Sequence, residues 1–200
     1  MKKMSLLELV WMLLQMKKFT KSNMANKDRK GKSINTYNGI LFWPLDPIEE
    51  EINIEDIAHS LSMQCRFNGH LLKFYSVAEH SVRVAAQCSP ENALWGLLHD
   101  ASEAYCADLP SPLKEEMVKY KEMENKVQQV VCKKFGLPIK EPLEIKKYDI
   151  ILRVTEMRDL RKNGQITGHG QFKPLSDKIE PWSQEKAKKL FLETFELLTK

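Results

Sequence analysis

The residues with the clearest capacity for chemistry lie in one short stretch, residues 97–103, which reads Leu-Leu-His-Asp-Ala-Ser-Glu. His99 and Asp100 are both good ligands for a divalent cation, and adjacent helical residues point about 100° apart, so both can border one ion at a helix junction. Glu103 follows Asp100 by three positions and His99 by four, which places it on the same helical face. The pattern predicts a metal site with a free carboxylate beside it, as metal-assisted hydrolysis requires.

Two residues elsewhere in the chain could complete the ligand set. His80 is expected in the first turn of a helix that begins with a capping box at residues 76–79, and Asp149 lies in a later predicted helix. Two imidazoles and two carboxylates suit Mn, Co, Ni, Fe or Zn better than calcium. A cation would also compensate the charge of Asp100 among its apolar neighbours. The competing interpretation is a hydrogen-bonded core histidine together with a surface aspartate.

The elements that must position these residues are predicted almost entirely as helices, which makes the fold all-α and bundle-like. Asn53 is a good N-cap for a helix that ends near Arg66. Ser89-Pro90 opens a helix expected to run through Tyr105, with His99, Asp100 and Glu103 on its second half. Further helices are expected up to Gly136, from about Pro142 to Asn163, and over residues 183–200. Residues 36–47 suggest a short extended or hairpin segment, and residues 164–181 an irregular loop.

Length and charge limit the classes of function. Two hundred residues suit one domain, residues 36–200, preceded by an extension over residues 1–35. A net charge of +4, from 31 basic and 27 acidic residues, suits an anionic ligand but not a nucleic-acid-binding face. The four cysteines form no C-x-x-C, so we expect buried free thiols in a reducing compartment, the cytoplasm.

The extension itself predicts a helix followed by a polar linker. Its apolar run within residues 1–19 is too short to span a bilayer and no cleavage site follows, so no membrane partner is expected. A start of translation at Met24 is an alternative that would make the first 23 residues dispensable. The amphipathic first and last helices are compatible with a homo-oligomer.

The order His80 … His99-Asp100 … Asp149 resembles the H…HD…D signature of the HD-domain metal-dependent phosphohydrolases. The likeness extends over residues 54–62, 66–70, 74–81, 97–103, 107–114, 135–138 and 149–160. These segments are similar to a compact bacterial and phage branch that includes the 5'-deoxynucleotidases and the phage dATP triphosphohydrolases. The resemblance implies an HD-domain helical bundle whose metal ligands are His80, His99, Asp100 and Asp149. The divalent ion itself is left open among Mn, Co, Zn, Ni, Fe and Mg.

The resemblance also implies roles for residues around the metal. Glu103 and Asp108 correspond to the catalytic acids, while Arg66 and Lys114 correspond to positions that face the phosphate. Each of these residues also has a purely structural alternative. Arg66 could instead cap a helix C-terminus, Asp108 could cap a turn, and Lys114 could be a solvated surface residue. His70, beside a glycine turn, is a candidate nucleotide contact.

Two further residues in the matched segments have alternative interpretations. His59 is interpreted as a structural residue. Glu156 shares a helix face with Asp149 and is either a supporting residue of the site or a salt-bridge partner.

The reaction implied by the resemblance is hydrolysis of a deoxynucleotide phosphate ester. The first expectation is conversion of a dNTP, such as dATP, to deoxynucleoside and triphosphate. The alternatives are release of phosphate from a dNMP, and a nucleotide-binding HD module without turnover. An activity on cyclic or 3'-ended nucleic acid is disfavoured by the modest charge.

Overall fold

Helices carry most of the chain in this computed structural model, which describes residues 28–200. The helices are α1 Ile54–Met63, α2 Val77–Ala85, α3 Pro90–Leu98, α4 Glu103–Cys106, α5 Ser111–Glu116, α6 Val118–Lys134, α7 Leu143–Leu160 and α8 Gln184–Leu198. Two short strands, β1 Ile34–Asn35 and β2 Leu41–Phe42, pair antiparallel with Ile34 opposite Phe42. Short 3-10 turns span Glu49–Glu51 and Arg66–Gly69. The all-α class is therefore confirmed, and so is the short hairpin, although its first strand begins at Ile34, before the predicted residues 36–47.

Side-chain caps fix the start of three helices. The Asn53 side chain accepts from the backbone N–H groups of Glu55 and Asp56 at the start of α1. Ser76 accepts from the N–H of Glu79 at the start of α2, and Ser183 caps α8 in the same way. The Ser76 cap places His80 in the first turn of its helix, as predicted. Ser89 is different: it precedes Pro90 of α3, but its hydroxyl donates to Glu144 Oε2 at 2.8 Å instead of capping the helix.

The predicted helix from Ser89 through Tyr105 is wrong, because α3 ends at Leu98. Beyond it the chain bonds three residues back rather than four: the N–H of Ala101 donates to Leu98 O, and that of Glu103 to Asp100 O. These tight turns separate α3 from α4 and leave His99 and Asp100 at the junction. Both residues therefore lie between two helices rather than in the middle of one.

Two buried clusters hold together the helices that carry the candidate ligands. The larger one includes Leu61 of α1, Val77 of α2, Leu97 of α3 and Phe191 of α8. The second cluster joins α7 to α2 and α3: Ile145 and Leu152 of α7 belong to the same cluster as Val84 of α2 and Trp95 of α3. Burial of apolar side chains is the main stabilising contribution here. The second cluster brings α7 beside α2.

The segment after α7 is irregular, as predicted, but it is bound to that helix. The Arg158 guanidinium donates to Leu175 O and Asp177 O, while Asp159 Oδ2 accepts from the N–H of Ile179. Residues 161–183 contain no helix or strand. The α7 helix itself ends at Leu160, three residues earlier than predicted.

The predicted N-terminal helix and most of the polar linker lie outside the described residues. The linker is described from Asp28 onward, where Arg29 forms salt bridges to Asp46 and Glu51, each at 2.7 Å. Across residues 28–200, no helix is long and apolar enough to traverse a bilayer.

Candidate metal centre

Three helix-bearing segments bring their candidate ligands to one point. His80, His99 and Asp149 each offer one ligand atom, and these atoms lie within 4.8 Å of one another. His80 Nε2 is 3.2 Å from Asp149 Oδ1, and His99 Nε2 is 3.1 Å from Asp100 Oδ2. The same Asp100 oxygen is 3.9 Å from His80 Nε2. The structure thus brings together all four residues that the sequence analysis assigned to a metal.

The second nitrogen of each imidazole is already engaged by an acceptor. His80 Nδ1 lies 2.6 Å from Glu156 Oε1, and His99 Nδ1 lies 2.8 Å from Gly96 O. The Gly96 carbonyl and the ionised Glu156 carboxylate can only accept hydrogen bonds. Each Nδ1 therefore carries a hydrogen, and Nε2 is the nitrogen left to bind an ion. Both Nε2 atoms are buried and lack a hydrogen-bond partner within residues 28–200. Metal-ligating histidines have this arrangement, so the residues fit a divalent cation.

The electrostatics of the cluster favour positive charge at its centre. Burial alone would lower the pKa of His99, yet the carboxylate of Asp100, then that of Asp149, raise it to about 9. Burial alone would raise the pKa of Asp100 and Asp149. The neighbouring imidazoles outweigh this effect: His99 is the main group that lowers the pKa of Asp100, and His80 is the main group that lowers the pKa of Asp149. Both carboxyl pKa values therefore fall well below their usual range. A bound cation would satisfy the same carboxylates.

A buried ion pair lies behind the ligands. Glu156 is fully buried; its Oε1 contacts His80, and its Oε2 accepts from Arg66 Nε at 3.1 Å. Arg66 is 7% exposed, and its Nη1 lies 3.6 Å from Asp100 Oδ2. Arg66 therefore does not act as a helix C-cap. Glu156 orients His80 rather than serving only as a salt-bridge partner, a role indicated in the sequence only by its spacing from Asp149.

Glu103 lies beside the ligands with one oxygen unengaged. Its Oε1 is 3.4 Å from Lys114 Nζ, whereas its buried Oε2 has no hydrogen-bond partner in the described part of the chain. Burial, with the negative charges of Asp100 and Asp108, raises the pKa of Glu103 well above its usual value. A carboxyl group with a raised pKa can carry a proton near neutral pH.

Lys114 and Asp108 are two further charged residues near Glu103, and both influence the pKa of its carboxyl. Lys114 Nζ is also 2.7 Å from Glu124 Oε1, so this lysine is held by two carboxylates rather than solvated. The backbone N–H of Asp108 donates to Gln64 Oε1, and burial raises the pKa of the Asp108 carboxyl.

A cavity of about 570 Å³ opens from this cluster. It is lined by both ligand carboxylates, Asp100 and Asp149, and by Glu103, Asp108 and the exposed His70. Four cations also border the cavity: Arg66, Lys114, Arg153 and Arg161. The sequence analysis identified only Arg66 and Lys114. A space of this size bordered by four cations suits a small anionic ligand.

Residues outside the cavity have other roles. His59 stacks on Tyr37 with ring centroids 3.7 Å apart, in keeping with its structural interpretation. The four cysteines are free thiols, as predicted, but only Cys132 is buried; the other three, Cys65, Cys88 and Cys106, are half-buried.

Comparison with known proteins places the chain among relatives. No family model matches it. It is 46% identical over 127 residues to the uncharacterized protein YfdR of Escherichia coli K12, a match that covers 64% of this chain and 71% of YfdR. It is 39% identical over 113 residues to an uncharacterized protein of Rhodobacter capsulatus, covering 52% of this chain and 58% of that relative. On the extent and identity of the first match, the chain belongs to the same protein family as YfdR.

Proposed function

We propose that this protein is a metal-dependent phosphohydrolase of the HD-domain class that cleaves a deoxynucleotide phosphate ester. One observation carries the proposal: two buried imidazole Nε2 atoms and the carboxylates of Asp100 and Asp149 converge beside Glu103, at the edge of a cavity with cations in its wall. The resemblance of the surrounding segments to deoxynucleotide hydrolases supports the substrate class.

A divalent cation held by these four ligands would make water a stronger nucleophile at neutral pH and draw electron density from a phosphoryl oxygen. Side chains of the protein would bind the phosphate and transfer the proton. Arg66, fixed by Glu156, presents its guanidinium at the rim of the ligand cluster, where it can hold phosphate oxygens. Glu103 and Asp108 are the carboxyl groups placed to hold or transfer a proton.

The reaction that we favour takes a dNTP to deoxynucleoside and triphosphate. Water adds at the α-phosphorus, the bond from that phosphorus to the 5' oxygen breaks, and the nucleoside leaves with a proton. A dNMP would react in the same way and release phosphate. The four free thiols support action in a reducing compartment such as the cytoplasm.

The test uses the full chain, stripped with EDTA and reloaded with Mn²⁺ or Co²⁺. dATP and dAMP are supplied separately, and phosphate is resolved from triphosphate by ion-exchange chromatography. We expect triphosphate from dATP. We expect Asp149→Asn to lower the rate by about 100-fold or more, because it removes a ligand charge. His59→Gln, outside the cavity, is the matched control and should leave the rate unchanged.

Two outcomes would contradict the proposal. The first is absence of product from either nucleotide with every metal. The second is full activity in Asp149→Asn. A nucleotide-dependent rise in melting temperature without product would instead indicate a binding module.

A further inference from the structure

The four cations in the cavity wall are not equivalent. Three of them are compensated by carboxylates of the candidate metal centre or its surroundings. Arg66 pairs with Glu156 and Asp100, Lys114 with Glu103 and Glu124, and Arg153 with Asp149. Arg161 forms no salt bridge to any carboxylate of residues 28–200. It therefore brings an uncompensated positive charge to the cavity.

Arg161 lies well away from the metal ligands. Asp149, Arg153, Met157 and Arg161 follow one another at four-residue intervals along α7 and its C-terminal end, and all four line the cavity. At 1.5 Å per residue, the backbones of Asp149 and Arg161 are about 18 Å apart along the helix axis. The wall of the cavity therefore runs from a metal ligand to an unpaired guanidinium.

The Arg161 guanidinium is held in place but keeps donors available. Its Nη1 donates to Gln165 O at 3.3 Å and to Thr167 Oγ1 at 3.4 Å, and its Cζ lies 5.1 Å from the centre of the Phe67 ring. The Arg66 guanidinium lies 5.7 Å from the same ring. Because both distances are measured to the centre of the Phe67 ring, the guanidinium carbons of Arg66 and Arg161 are at most about 11 Å apart. The remaining Arg161 donors, Nε and Nη2, have no partner in the portion of the chain that is described.

We infer that Arg161, together with His169, which also lines the cavity, forms a subsite for the distal phosphates of a polyphosphate chain. The inference rests on the proposed function, which places the phosphate under attack at the metal ligands. A single phosphate at the ligands satisfies Arg66 and leaves Arg161 unpaired, whereas a triphosphate extends along the wall toward it. Arginine is suited to this role because its planar fork binds phosphate through two hydrogen bonds. The substrate class is therefore nucleoside triphosphates rather than monophosphates.

The binding test uses the EDTA-treated full chain, with tripolyphosphate and orthophosphate titrated separately by calorimetry. We expect Arg161→Gln to weaken tripolyphosphate binding about tenfold and to leave orthophosphate binding unchanged. Arg161→Lys keeps the charge and should restore part of the affinity. Lys162→Gln removes an exposed neighbouring charge that does not line the cavity, and should have no effect. Equal weakening by Arg161→Gln and Lys162→Gln would overturn the inference, as would tripolyphosphate affinity that is insensitive to Arg161.

A kinetic arm separates this inference from the proposed function. With Mn²⁺ present, Arg161→Gln should raise KM for dATP about tenfold, with kcat and the KM for dAMP little changed. Melting temperatures of the variants show whether the fold is retained. If no nucleotide is hydrolysed but tripolyphosphate binding still depends on Arg161, the proposed function fails and the anion subsite stands. If dATP is hydrolysed with the same KM by Arg161→Gln and the parent, the proposed function stands and the subsite fails.

Discussion

At the scale of single residues, the carboxylate of Glu156 serves two neighbours at once. One oxygen accepts from His80 Nδ1 at 2.6 Å and the other from Arg66 Nε at 3.1 Å. All three side chains are buried, so the charges of Glu156 and Arg66 depend on each other for compensation. The first contact fixes the ring orientation and the protonated nitrogen of His80. The second holds Arg66 close to Asp100 and the cavity.

Glu156→Gln should therefore weaken metal binding. An amide can still accept from His80 Nδ1, but it carries no charge to increase the basicity of the ring. Loss of such a supporting contact lowers metal affinity by about 10- to 100-fold. We expect a reduction of about tenfold or more, measured by titration of Mn²⁺ into the EDTA-treated protein. Glu193→Gln, on the exposed face of α8, is the control. Unchanged affinity in Glu156→Gln would mean that Glu156 only neutralises Arg66.

Residue types and spacing led to the ligand residues but not to what surrounds them. His80, His99, Asp100 and Asp149 could be chosen from ligand chemistry together with the resemblance, and the structure places them together. The pairing of Arg66 with a carboxylate 90 residues away could not be derived. It depends on how α7 packs against the 3-10 turn at Arg66, which no local pattern encodes.

At the scale of elements, a glycine sets how closely α2 approaches α3. A Cβ at Gly96 would lie 2.9 Å from Cys88 Sγ and 3.1 Å from Ala85 Cα, and the second contact is with backbone. Gly96 also supplies the carbonyl that accepts from His99 Nδ1. The close approach therefore affects the two helices that position both histidines.

Gly96→Ala should destabilise the protein even though alanine favours helix. The added methyl group has to push α2 away from α3, and overpacking of this kind costs about 1–3 kcal/mol of unfolding free energy. Urea denaturation measures the loss. Gly170→Ala is the matched control, because nothing lies within 4 Å of the Cβ that it adds. Equal stability of both variants would show that the helices separate without cost.

The element that the sequence misassigned is the one that carries the metal ligands. Leu97, Leu98, Ala101 and Tyr105 follow helical spacing, and all four are buried. The tight turns after Leu98 bury Ala101 and Tyr105 just as a continuous helix would, so the apolar pattern does not distinguish the two. By contrast, Asn53 and Ser76 make the capping contacts that their residue types predict, because these contacts are local.

At the scale of the whole molecule, the candidate metal centre joins parts of the chain that are distant in sequence. His80 comes from α2, His99 and Asp100 from the junction after α3, and Asp149 from α7. An ion bound by all of them would bind the folded chain but not the unfolded one. Its binding free energy would therefore add to the free energy of unfolding.

Metal should accordingly raise the melting temperature of the intact protein. At a free Mn²⁺ concentration about 100 times the dissociation constant, linkage predicts about 2.7 kcal/mol of added stability. For a domain of this size that corresponds to a rise of about 5 to 10 °C. Differential scanning calorimetry with Mn²⁺, and again after EDTA, measures the change. Asp149→Asn removes one ligand and should abolish most of the shift, whereas His59→Gln should retain it. An equal shift in Asp149→Asn and the parent would mean that the ion binds elsewhere, because Asp149 is one of the ligands of the candidate centre.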